Sequence, residues 1–250
     1  MRKLYEKTGL GFAILWIGAY CVLMSVGDSL SQSLGTEKSV TLPVAVALSA
    51  VILLFIKKNG LSEKYGRCRP RLKASSVLFY VPLLILLTVN LWHGVAFNLT
   101  AGETVLYILT MLLVGFLEEV IFRGLLFGAM KKDSLKAAVI VSSVTFGMGH
   151  IINLINGSGA EFLPNILQVI YATATGFMLV MLYLKTESLI VAVAFHGAFN
   201  ALSVFSDESA LTTVDRTAAA VFITAVSVAY GIYLCFVKDG VKKSDNLSCK

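Results

Sequence analysis

The feature that most constrains this chain is a succession of apolar runs, each approaching the roughly 20 residues that a membrane-spanning helix needs. They occupy about 10–26, 40–56, 74–92, 104–130, 136–155, 164–184, 188–206 and 217–237. Short breaks rich in Gly, Ser and charged residues separate them. Only 14% of the 250 residues are charged, against about 25% in soluble domains. Lipid is therefore the main solvent, and in lipid a spanning segment must satisfy its backbone polar groups internally. The expected fold is all-α: a polytopic membrane protein, a bundle of about eight transmembrane helices around an intramembrane polar cavity. No break is long enough for a second domain, so residues 1–250 read as a single membrane domain.

The basic residues test this count, because cytoplasmic loops retain Lys and Arg and a miscounted span would scramble the alternation. With eight spans, 18 of the 21 basic residues fall on one side, in the segments around 2–7, 57–73, 131–136, 185 and 238–250. The other side holds Lys38 and Arg216 with Asp28, Glu37, Glu103, Glu161, Asp207, Glu208 and Asp215. Both termini are expected in the cytoplasm; in a prokaryotic cell the membrane is the plasma membrane. The net charge of +6 then lies beside an anionic leaflet, so membrane lipids are the expected partners and nucleic acid is not. The first run follows Arg2 and Lys3 but lacks an A-x-A cleavage site, and reads as a retained span. Cys21, Cys68, Cys235 and Cys249 form neither a disulfide framework nor a metal spacing.

Ionisable side chains at membrane depth are costly, so each needs a role or a partner. The fourth run carries Glu118, Glu119 and Arg123. At about 100° per residue, Glu119 and Arg123 lie within about 40° of each other, whereas Glu118 points about 140° from Arg123. Glu119 is thus the ion-pair partner, with the favoured Glu-before-Arg order. Glu118 has no partner on its own helix and suits a general base or acid. A purely structural salt bridge between helices is the alternative. "FGMGH" places Phe146 and His150 on one face of the fifth run, and "HGAFN" places His196 and Asn200 on one face of the seventh. Gly147, Gly149, Gly197 and Ala198 permit close helix approach. Imidazole beside carboxamide can stabilise an oxyanion or merely bridge helices. His93, Trp16 and Trp92 read as interfacial, and Asn90, Asn153, Asn165 and Gln168 as polar groups near the outer surface.

Counting about 1.5 Å per residue from the basic side puts Glu118 about 18 Å deep, His196 about 12 Å and His150 about 21 Å, compatible with one buried site. The fourth run, about 40 Å long as a helix, exceeds the hydrocarbon thickness and must tilt, kink or protrude, with Gly115, Gly124 and Gly128 as bending points.

Three motifs, Glu118-Glu119-x-x-x-Arg123, Phe146-x-x-x-His150 and His196-x-x-x-Asn200, occur complete, in order and in separate runs. The chain in this respect resembles the CPBP (Abi) family of intramembrane proteases, which includes the type II CAAX prenyl endopeptidases and bacteriocin-processing proteins. The resemblance covers roughly 104–206, which it identifies as the catalytic core. It implies an eight-helix bundle with a conical cavity open to the cytosol. It also implies that Glu118, assisted by His150, activates water against a peptide carbonyl while His196 and Asn200 stabilise the oxyanion. Arg123 and Glu119 would hold the helix and site in place. The implied substrate is a membrane-associated protein or peptide, as in CAAX processing or bacteriocin maturation and immunity. Two cofactor readings stay open: a zinc ion held by Glu118, His150 and His196 with an open position for water, or a metal-free mechanism. The sequence leaves the oligomeric state open.

Other intramembrane protease types find no support, since neither His-Glu-x-x-His nor Gly-x-Gly-Asp is present, and the serine-like "NGSGA" at 156–160 falls in an outer loop. A proton-coupled transporter and a non-catalytic membrane scaffold are the rival readings, the first weakened by the lack of an inverted repeat.

Overall fold

A computed structural model describes residues 1–62, 65, 77–154 and 161–237. The expectations for Lys64, Arg67, Cys68, Arg69, Arg71, Lys73, the 156–160 loop, Lys238, Lys242, Lys243, Cys249 and Lys250 lie outside the described residues.

Among the described residues the protein is helical, with no strand beyond one isolated bridge between Val95 and Ser206. The helices are α1 (Arg2–Lys7), α2 (Gly9–Ser33), α3 (Thr41–Lys58), α4 (Val77–Leu87), α5 (Ala101–Glu118), α6 (Gly128–Met130), α7 (Leu135–Gly149), α8 (Phe162–Thr186), α9 (Leu189–Leu202) and α10 (Thr213–Phe236). Side-chain caps start α2, α5, α7, α9 and α10. The Thr100 and Thr212 hydroxyls accept from the N–H of Glu103 and Asp215, whose carboxylates in turn accept from the Thr backbone N–H, satisfying donors that the helix leaves open.

Among the described residues, six helical stretches are long and apolar enough to cross a membrane: Gly9–Ser33, Thr41–Lys58, Ala101–Met130, Leu135–Leu154, Phe162–Thr186 and Thr213–Phe236. Of the runs expected as spans over 74–92 and 188–206, the described parts are the apolar helical stretches Phe79–Leu91 and Leu189–Phe205; the start of the 74–92 run lies outside the described residues. α4 carries Pro82 and gives way to a 3₁₀ turn at Val89–Leu91, and α9 starts after Glu187, which caps α8 in the left-handed conformation.

The fourth run resolves its excess length by changing its winding. After Glu118 the chain becomes a π-helix, Glu119–Phe127, all nine residues of which are buried. Its i→i+5 pattern makes residues five apart into neighbours, which rotates Glu118 toward Arg123 relative to the α-helical expectation. The Ser142 hydroxyl of α7 donates to the Phe122 carbonyl at 3.0 Å, anchoring the π segment from outside.

One apolar core packs Phe12, Trp16, Ile52 and Phe55 of α2 and α3 against Leu117, Ile121 and Phe127, and a second joins Leu83, Leu86, Leu179, Phe195, Tyr230 and Leu234. Trp16, read as interfacial, is 5% exposed and sits edge-on to Phe12; helix packing claims it before the lipid boundary can. Trp92 is 48% exposed. Where α5 crosses α9, a Cβ on Gly115 would meet the Gly197 backbone nitrogen at 2.5 Å, so these two helices touch backbone to backbone. Gly147 likewise lies against Thr173 of α8, whereas Gly149 meets nothing within 4 Å.

Candidate active site

The α5–α9 contact brings His196 between the two glutamates. Its Nδ1 lies 2.8 Å from Glu119 Oε1, and its Nε2 faces Glu118 Oε2 at 3.4 Å. Glu119 Oε1 also sits 2.9 Å from Arg123 Nη1, and both side chains are 0% exposed. The expected i, i+4 ion pair is therefore present, and His196 shares its carboxylate. The guanidinium is further held by Nη2 donating to the Gly176 carbonyl at 3.3 Å and by the Phe146 ring, 4.3 Å from its carbon, an attraction that strengthens when desolvated.

Phe146 organises the rest. It meets His150 and His196 edge-on, with ring centroids 5.6 and 5.4 Å away. The backbones that carry the site's outer members are tied down by asparagines of the other helices. Asn165 donates to the His150 carbonyl and Asn90 to that of Phe199, each at 2.9 Å.

A polar cavity of about 380 Å³ adjoins this network. Glu118, His150 and Asn200 line it together with Phe146; Glu119, Arg123 and His196 do not. The six expected residues thus divide into three that face the cavity and three in the buried assembly behind it. His196 has one nitrogen toward each glutamate and does not line the cavity.

Tyr20 of α2 completes the site and was not foreseen. Its hydroxyl donates to Glu118 Oε1 at 2.7 Å, so Glu118 has a partner, supplied by another helix. Glu118 Oε2 and Glu119 Oε2 accept no hydrogen bond.

A zinc site needs its ligands gathered at about 2.0–2.2 Å from one point. Among the described residues no group of three His, Cys, Asp or Glu side chains is so placed, and both nitrogens of His196 are directed at carboxylates. Glu118, His150 and His196 do not fit a zinc ion in this arrangement.

At its far end the cavity reaches Asp28, Lys38, Asn153 and Ser203. Lys38 is 2.8 Å from Asp28 and 3.3 Å from Glu37. Burial pulls the Lys38 ammonium down, but Asp28 and then Glu37 outweigh it and leave its pKa above the usual value.

Residues 100–202 match the family model of the type II CAAX prenyl endopeptidase Rce1-like proteins, the family that the three motifs resemble. The match includes all six expected site residues and excludes Tyr20. No curated protein and no solved structure matches the chain. With six apolar helices of spanning length among the described residues, the protein is an integral membrane protein.

Proposed function

From an Rce1-like region embedded in a membrane bundle, we propose that the protein is an intramembrane endopeptidase that cleaves a membrane-associated protein or peptide. The observation that carries this reading is Glu118, placed at the inner end of a polar cavity with Tyr20 on one oxygen and His196 opposite the other. Water in the cavity loses a proton to the Glu118–His196 pair as its oxygen attacks the peptide carbonyl carbon. Asn200 and His150, which also line the cavity, stabilise the oxyanion. Collapse of the tetrahedral intermediate breaks the C–N bond, and the pair returns the proton to the leaving amine. Glu119, held by Arg123, orients His196 through Nδ1, as a carboxylate does in other imidazole-based sites.

A proton-coupled carrier would need passage beyond Glu119 and Arg123, and the buried π segment disfavours it. The test is cleavage of a peptide panel by purified wild type, Glu118→Gln and His196→Ala. Hydrolysis should vanish in Glu118→Gln while the protein remains folded; equal cleavage by all three sinks the assignment. On the same wild-type preparation, activity should persist after exhaustive chelation. Loss on chelation and return with zinc would mean that Glu118, His150 and His196 regroup around the metal.

A further inference from the structure

The cavity occupies one end of the bundle. Its lining comes from the second half of α2, the start of α3, the first part of α5, the last turn of α7, the first part of α8 and the end of α9. All of these adjoin the connections around 34–40, 92–100 and 203–212. At the other end the site is closed by the nine buried residues Glu119–Phe127, with Tyr65 and Tyr183 packed beyond them.

The closed end is the basic one. Among the described residues, Arg2, Lys3, Lys7, Lys57, Lys58, Lys131, Lys132, Lys136 and Lys185 lie at that end, whereas the end with the cavity mouth has Lys38 and Arg216 among seven carboxylates. Positive charge in short loops marks the cytoplasmic side. We infer that the catalytic cavity opens to the non-cytoplasmic face and takes as substrate a peptide segment already exported or displayed at the outer leaflet. This inference rests on the endopeptidase reading for the word substrate, but the sidedness stands on geometry and charge alone. It departs from the cytosol-facing cavity that the resemblance implies. A prenylated cytoplasmic tail would meet the closed end.

Thiol labelling tests it without requiring activity. In a background with Cys21, Cys68, Cys235 and Cys249 changed to Ser, Ser25→Cys and Ser203→Cys place reporters in the cavity lining on two helical elements, and Lys132→Cys places one at the basic end. A membrane-impermeant maleimide should deplete the thiols of Ser25→Cys and Ser203→Cys in right-side-out vesicles and that of Lys132→Cys only in inverted ones. Labelling of both cavity positions only in inverted vesicles, or in neither orientation, overturns the inference, as does labelling of Lys132→Cys from outside. Either cavity variant alone suffices if the other does not accumulate. If labelling follows expectation but no peptide is cleaved by any preparation, the endopeptidase reading fails while the sidedness holds.

Discussion

At the scale of single residues, the site is a chain of shared partners: Tyr20 to Glu118, Glu118 to His196, His196 to Glu119, Glu119 to Arg123. A hydrogen bond to a charged group contributes about 1.5–3 kcal/mol, and about 1.4 kcal/mol is a tenfold rate change. Tyr20→Phe should therefore lower kcat/KM roughly ten- to hundredfold and lower the unfolding midpoint in detergent by less than Arg123→Ala does. Arg123→Ala acts differently. It strands Glu119 in a fully buried position, and breaking such a pair costs about 3–5 kcal/mol, so the variant should fail to accumulate or unfold at much lower temperature. The ion pair was legible in the sequence because both partners sit on one helix four residues apart. Tyr20 was not, because 98 residues separate it from Glu118 and a tyrosine within an apolar run carries no periodic signal.

At the scale of elements, the close crossing of α5 and α9 and the π segment decide the geometry. Replacing Gly115 by Val would drive a branched side chain into the Gly197 backbone. Overpacking typically costs about 1–3 kcal/mol, and a backbone neighbour yields less than a side chain. Gly115→Val should lower the thermal midpoint in detergent and reduce cleavage, because His196 moves with α9. Gly149→Ala, facing open space, should leave the midpoint unchanged. The small residues of "HGAFN" announced a tight contact, and the excess length of the fourth run announced some deformation. The π winding that absorbs it arises from packing against α2, α7 and α9, which a helical period does not encode.

At the scale of the whole molecule, the matched stretch is not self-sufficient. Leu117, Ile121 and Phe127 are buried against α2 and α3, and Tyr20 belongs to α2. Residues 100–202 produced alone should therefore be polydisperse on size-exclusion chromatography and inactive on peptides the full chain cleaves. The first three runs, which matched the family pattern only in being helical, supply part of the site and much of its wall.

The apolar runs, the asymmetric charge and the three i, i+4 motifs determined by themselves that the chain is helical, lives in lipid and gathers six polar residues in its interior. These are local properties: hydropathy, period and loop charge depend on neighbours in sequence. Tertiary structure alone decided that Tyr20 completes the site, that His196 lies between two carboxylates, and that the cavity belongs to the end opposite the described basic helix ends. Each of those depends on which helices touch, and close packing between segments distant in sequence sets that.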